Sequence, residues 1–453
     1  MSQSAFPQSL NIAGGLKRRS VSVRNYRVNI APHNGSTFSP GQTIKLQIPT
    51  ISRSFIDPAC MAIRFKVKGN GTDYTIDKNA YSFFSRCTQS CSGAVLSDIS
   101  ELNVLTHMLY DLQTPVTQQL SDGALVQGAG LSLNQKNDGA IVNNTEKYFV
   151  LPLWSGVNSC DKLLNMDCSS GIEYTFYLES AKNVLRSAGT PANGAAISTY
   201  TISEVELIGY VSEISQESAV LLQSSLGGMS YNYFYEDFSH IAATVPANST
   251  KEVHNLAFRY SALSQIIACM RKSSNIDNGN QHSLSNRSKG NLTSYSFFVG
   301  GQRMPSTSVR LSDENLGEVV SELQLSYGLY NDVVNSSTLN GINWASGAIH
   351  ECFAVDDGAI ANSGAQGDAD AIAAGTFAYN QGSIGSFCFG LDTDGYKSPM
   401  TDMVYSGMNT QSASISAELS FANCPAQMSV SYFAKFQCIL SLDPTTGSYV
   451  SSV

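Results

Sequence analysis

The residues of this 453-residue chain that could do chemistry are ten cysteines, six histidines and a few clustered carboxylates. Cys87 and Cys91 stand four apart and Cys160 and Cys168 eight apart, close enough for a disulfide or two metal ligands. Neither pair is a C-x-x-C, and no paired histidine follows at zinc spacing. The histidines, at 33, 107, 240, 254, 282 and 350, never come closer than 14 positions, which removes the paired-His signature of a metal-binding barrel. His350-Glu351 lacks the second histidine of H-E-x-x-H. Asp392-Thr393-Asp394-Gly395 and Asp356-Asp357-Gly358 resemble fragments of calcium loops, but the twelfth position from Asp392 is Met403 where an acid is needed, so both read as Asp-Gly turns. There is no Gly-Lys dipeptide and hence no phosphate-cradling P-loop, and no G-x-S-x-G elbow to present a nucleophilic serine. The expectation is a protein that is not an enzyme and uses no cofactor and no metal, with its cysteines as free, buried thiols. Trp154 and Trp344 sit in no aromatic or basic cluster and read as packing residues.

Charge is the one unevenly distributed property. The chain carries a net charge of −9, yet its first 56 residues contain no acid and seven bases, Lys17, Arg18, Arg19, Arg24, Arg27, Lys45 and Arg53. The remaining 397 residues therefore carry −16. An acidic body argues against a surface that binds nucleic acid throughout, while a basic arm suits contact with an anionic surface such as a genome or lipid headgroups. Lys17, Arg18, Arg19, Arg24 and Arg27 are the candidate contact residues of that arm. Residues 1–20 hold no continuous apolar stretch of the signal-peptide kind, and no uncharged apolar run approaches the roughly 18 residues that would cross a bilayer. The expectation is a soluble chain made in the cytosol, in which the seven Asn-x-Ser/Thr sequons carry no meaning.

The elements that must position these residues are mostly strands. Only 14% of residues are charged and 42% are hydrophobic, which implies a sizeable core. Short alternating or apolar runs rich in Val, Ile, Phe and Tyr recur between Gly, Asn, Asp, Ser and Pro clusters. One series runs from Tyr26–Ile30 through Thr43–Ile48, Met61–Val67, Tyr148–Leu153 and Glu173–Leu178 to Thr201–Val211. A second runs from Tyr231–Tyr235 through Glu252–Phe258, Ser264–Met270, Tyr295–Val299, Gly385–Leu391 and Ala413–Phe421 to Met428–Leu442. Helical spacing occurs in Asp98–Leu112, Asp313–Tyr327 and Gln216–Leu226, the last of which lies between the two series and ends at Gly227-Gly228. Long loops are expected at 69–98, 112–148, 271–293 and 331–385, and Arg303-Met304-Pro305 reads as a turn.

The halves follow one plan. Ser39-Pro40-Gly41-Gln42-Thr43 leads to Met61–Lys68, and Val245-Pro246-Ala247-Asn248 leads to Ile266–Lys272. The capped helices start 215 positions apart, and each half closes on a long strand, Glu204–Val211 or Ser429–Phe436. Landmarks in one order fit a structural duplication. The fold class expected is all-β, two consecutive eight-stranded jelly-roll barrels with a few short helices. The corresponding division is a basic N-terminal arm at 1–24, a first jelly roll at 25–215, a helical linker at 216–228, a second jelly roll at 229–445 and a tail at 446–453.

Tyr26-Arg27-Val28-Asn29-Ile30, Ser36–Ile44 and Phe55-Ile56-Asp57-Pro58 in the first half, with Phe298–Pro305 and Leu442-Asp443-Pro444 in the second, resemble the double jelly-roll major capsid proteins of double-stranded DNA viruses. The pattern is most similar to those of polinton-like viruses, virophages and adenovirus-lineage elements. The resemblance implies a homotrimeric capsomer of pseudo-hexagonal outline tiling an icosahedral shell, with the protein in the virion after synthesis in the host cytoplasm. It further implies partners among neighbouring capsomers, penton proteins and minor or cement proteins, with the arm turned inward toward genome or an internal membrane. The competing reading is a jelly-roll spike or carbohydrate- or receptor-binding protein, which would show more aromatic residues in its long loops than the Trp344, Phe353, Phe377 and Tyr379 of 331–385.

Overall fold

The structure is a computed structural model that describes residues 23–70, 74–91, 93–115, 145–160, 162–167, 171–187, 199–226, 230–278, 283–311, 317–326, 385–394, 407–442 and 449–452, with positions 118, 123, 126, 140 and 141. In the first half, the strand Val23–Ile30 pairs antiparallel with Thr199–Ile214, which pairs with Ala62–Asn70, which pairs with Glu146–Pro152. A second sheet runs Thr43–Gln47, Ile172–Leu178, Phe84–Cys91, Ala94–Ser100. In the other half, one sheet runs Tyr231–Val245, Met428–Leu442, Leu263–Lys272, Phe389–Asp392, and the other runs Lys251–Leu256, Ile415–Phe421, Leu292–Val299, Gln302–Arg310. Numbered along the chain within each half, the main strands lie in the order 1-8-3-6 and 2-7-4-5 both times. That order is the eight-stranded jelly roll, and it occurs twice.

Alternation explains which way each strand faces. In Ala62–Asn70 the residues Ile63, Phe65 and Val67 point inward and are buried, while Arg64, Lys66 and Lys68 point out. Phe65 sits at the centre of an aromatic cluster, with ring centroids 5.9 Å from Phe83, 5.3 Å from Phe84 and 5.8 Å from Phe149. Leu263–Lys272 breaks the alternation, being buried from Leu263 through Arg271. Its run Ile266-Ile267-Ala268-Cys269-Met270 is apolar at both parities, as a strand covered on both faces requires.

Several expectations need correction. The segment 69–98 is not a long loop: it carries the 3-10 turn Ala80–Phe83 and most of the hairpin Phe84–Cys91 and Ala94–Ser100. Polar residues such as Ser85, Arg86, Thr88 and Gln89 interrupt the apolar pattern there and hid the strands. The expected helix from Asp98 begins instead at Leu102 and runs to Gln113. Asp98 belongs to the preceding strand and is held by Arg86 through two hydrogen bonds, at 2.7 and 2.5 Å. The equivalent helix of the second half is Gly317–Ser326, and both helices follow the fifth strand of their barrel. The helix expected at Gln216–Leu226 is present with those bounds. Gly300 and Gly301, with φ of 58° and 84°, form the turn between Leu292–Val299 and Gln302–Arg310, so Arg303-Met304-Pro305 lies inside a strand rather than at the turn.

Candidate assembly site: the seam and the basic strand

The two barrels meet along a seam built from polar groups. The helix Leu102–Gln113 is buried at nearly every position because the first barrel covers one side and the second half the other. It brings His107 and Asp111, one turn apart, into the interior. Asp111 takes hydrogen bonds from Lys78 of its own half and from Arg287 of the other, and all three side chains are buried. Asp77 reaches the same region, accepting from the backbone N–H of Leu284 at 2.8 Å, the N–H of Ser285 at 3.2 Å and the Ser285 hydroxyl. Two cations, Lys78 and Arg287, are thus matched by two carboxylates, Asp77 and Asp111. Burial opposes the charge on Asp111, but Lys78 and Arg287 outweigh it and hold its carboxyl below the ordinary value. His107, 3.1 Å from the Ser82 hydroxyl, is pushed by burial down to about 3 and is neutral.

A second cluster sits at the start of the same helix. Glu101 occupies the left-handed region at φ 50°, an uncommon place for a residue with a side chain. Its carboxylate accepts from Arg271 at 2.7 Å and from the Ser431 hydroxyl at 2.6 Å, and His240 lies at 3.4 Å. All three partners come from the second half. Burial raises the Glu101 carboxyl, yet the adjacent Arg271 and His240 bring it below its ordinary value.

Further along, Ser97 donates to Asp237 at 2.8 Å, Tyr235 donates to the Leu96 carbonyl at 3.0 Å, and the Ser159 hydroxyl donates to the Glu236 carbonyl at 3.0 Å. Among the described residues no cation is paired with Asp237, and burial pushes its carboxyl up to about 7. Trp154 packs edge-on against Phe238 with centroids 5.7 Å apart, which is the packing role expected of it.

The seam is hard to see in the sequence because its residues are scattered over 77–111, 154–159, 235–287 and Ser431, and 271–293 reads as a polar loop. It is instead buried from Ser283 through Ser288. One signal was available: in the twelve residues Leu102–Gln113 the single carboxylate is Asp111, too little charge for a helix with a solvated face.

The basic arm is only partly in view. Arg24 and Arg27 lie in the exposed strand Val23–Ile30, while Lys17, Arg18 and Arg19 fall outside the described residues. Being three apart on a strand, Arg24 and Arg27 point to opposite faces and do not form one patch. Arg24 lies 5.6 Å above the Tyr26 ring, and Arg27 donates to Asn29 at 3.0 Å, which itself donates to Glu206 at 2.7 Å.

Of the metal candidates, Cys87, Cys91 and Cys160 are buried, Cys60 is exposed, and Cys168, His350, Asp356, Asp357 and Trp344 lie outside the described residues. The Asp394 N–H donates to the Asp392 side chain at 3.0 Å, the local bond of a turn. Among the described residues no group of three His, Cys, Asp or Glu could hold a metal ion, and no helix is long and apolar enough to cross a membrane.

No family model and no curated protein matches the sequence. Solved structures match the fold. VP54 of the virus PBCV-1, fitted into a reconstruction of the virophage Sputnik, aligns with a TM-score of 0.60 at 10% identity over 96% of this chain and 98% of that one. The Faustovirus major capsid protein aligns at 0.56 and 10% identity, over 94% and 91%. The mavirus major capsid protein aligns at 0.52 and 10% identity, over 100% and 96%. Each alignment covers at least 94% of this chain.

Proposed function

We propose that this chain is a structural, non-enzymatic major capsid protein that forms homotrimeric, pseudo-hexagonal capsomers in an icosahedral shell. The observation that carries the reading is the strand order 1-8-3-6 and 2-7-4-5 repeated in both halves, in an architecture that aligns end to end with viral capsid proteins. The seam adds support. A subunit that must present two barrels at a constant angle to its neighbours benefits from a junction fixed by directional, buried and part-buried polar contacts.

On this reading the units are the arm at 1–24, the barrels at 25–215 and 229–445, the linker at 216–228 and the tail at 446–453. Lys17, Arg18, Arg19, Arg24 and Arg27 would touch genome or an internal membrane on the inner face. Penton and minor or cement proteins complete the list of partners, the virion is the final location, and synthesis takes place in the host cytoplasm. Size-exclusion chromatography with light scattering, followed by negative-stain imaging of the purified protein, tests this directly. The expected species is a trimer of hexagonal outline, and a strict monomer at high concentration refutes the proposal.

A further inference from the structure

The seam covers two surfaces, and each has an uncovered counterpart in the other half of the molecule. On the second barrel it covers the third strand, Leu263–Lys272, which is buried from Leu263 through Arg271. The third strand of the first barrel, Ala62–Asn70, leaves Arg64, Lys66 and Lys68 partly exposed on its outer face. On its other side the seam covers the helix Leu102–Gln113, which is buried at ten of its twelve positions. The counterpart helix Gly317–Ser326 also follows the fifth strand of its barrel, yet it buries only Val319, Leu323 and Ser326, a narrow stripe toward its own barrel.

A repeat that covers these surfaces once within the chain leaves the same two surfaces to meet between chains. We propose that the helix Gly317–Ser326 of one copy docks on the outer face of Ala62–Asn70 of a second copy, repeating the arrangement of the seam, with Glu318 of one copy against Lys68 of the next. The inference rests on the capsid reading for the presence of a second copy. It adds which faces meet and through which ion pair.

Position selects the pair. In the seam the acid is Glu101, immediately before its helix, and the base is Arg271, next to last in its strand, 2.7 Å apart. Glu318 is the second residue of the counterpart helix, and Lys68 is third from the end of the counterpart strand. Glu146 stands opposite Lys68 in register but turns to Lys66 at 2.9 Å, Glu204 also binds Lys66, and Glu206 holds Arg64 at 2.9 Å. Among the described residues no carboxylate is paired with Lys68, and no cation with Glu318 or Glu322. The sheet face as a whole carries Arg27, Arg64, Lys66 and Lys68 against Glu146, Glu204 and Glu206. The helix carries two acids and no base, and Arg303 and Arg310 belong to the adjoining strand Gln302–Arg310. Burial, and then the carboxylates of Glu318 and Asp392, push the Glu322 carboxyl above its ordinary value, an unfavourable interaction that a base from the next copy relieves. Because the contact joins different faces of identical chains, it runs head to tail and can close into a ring, in which three copies place six barrels.

The test uses the full-length protein with a photoreactive phenylalanine derivative at position 68, as an equal mixture of isotopically light and heavy chains. Light scattering gives the oligomeric state before irradiation, and mass spectrometry maps the link. The expected result is a trimer with a light-to-heavy link into 317–326. A trimer that links through any other segment, within one chain, or not at all overturns this contact and leaves the capsid reading standing. A strict monomer overturns both. Charge reversal gives a second readout. Lys68→Glu or Glu318→Lys alone should raise the concentration at which half the trimer dissociates by about tenfold or more. The two together should bring it back to within about threefold of the parent, and a double variant no better than the single ones would overturn the proposal.

Discussion

Replacing Asp237 with asparagine should stabilise the protein, and increasingly so as the pH rises. Asp237 is 2% exposed, accepts from Ser97 across the seam, and among the described residues has the carboxylate of Asp98 rather than a cation acting on it. Its carboxyl moves from an ordinary 3.8 up to about 7, with burial as the main cause. The folded state therefore keeps a proton through a range where the unfolded chain has lost it. Stability from this group is full below about pH 4 and is lost as the pH climbs toward 7. A shift of about 3 units at about 1.4 kcal/mol each makes the whole effect about 4 kcal/mol, of which about 3 falls between pH 5 and pH 8. Asparagine keeps the shape and the acceptor for Ser97 but cannot ionise. In urea unfolding of parent and Asp237→Asn at pH 5, 6, 7 and 8, the variant's advantage should grow by about 3 kcal/mol and then level off. A gap that stays constant with pH, or one that grows in favour of the parent, refutes the reasoning.

Other perturbations probe the remaining contacts. Arg287→Met strands Asp111 in the interior with Lys78 alone and should cost about 3 to 5 kcal/mol in chemical unfolding. Phe65→Ala opens the aromatic centre of the first barrel and should cost a similar amount, about 3 to 5 kcal/mol, while leaving the second barrel's hydrogen-exchange protection least affected. Gly385→Ala places a Cβ 2.2 Å from the Arg287 carbonyl oxygen, a backbone atom that cannot step aside, and should lower the melting midpoint by several degrees.

The barrels were legible where burial follows a short period. Ile63, Phe65 and Val67 alternate with Arg64 and Lys66, and Ile415, Ala417, Leu419 and Phe421 alternate in the same way, so their strands could be read directly. The hairpin across Phe84–Cys91 and Ala94–Ser100 was not legible, because its outer face is polar and part of its inner face, Gln89 and Ser97, hydrogen-bonds rather than packs. The seam was harder still. Asp77, Asp111 and Arg287 have no common spacing, and what joins them is the tertiary approach of segments up to 210 positions apart. The relation between the halves was visible because it rests on order rather than identity: the helices that were expected 215 positions apart begin at Leu102 and Gly317, the same separation.

The seam also changes what the peptide chain itself is needed for. Glu101, Asp77 and Asp111 on one side and Arg271, Ser285 and Arg287 on the other join the barrels with bonds that owe nothing to the linker helix. Cutting the backbone within Gln216–Leu226 should leave two fragments that migrate together and melt as one body. In that sense the molecule is a heterodimer of barrels that happens to be translated as a single polypeptide, its tether ensuring equal numbers of each half rather than holding them in place.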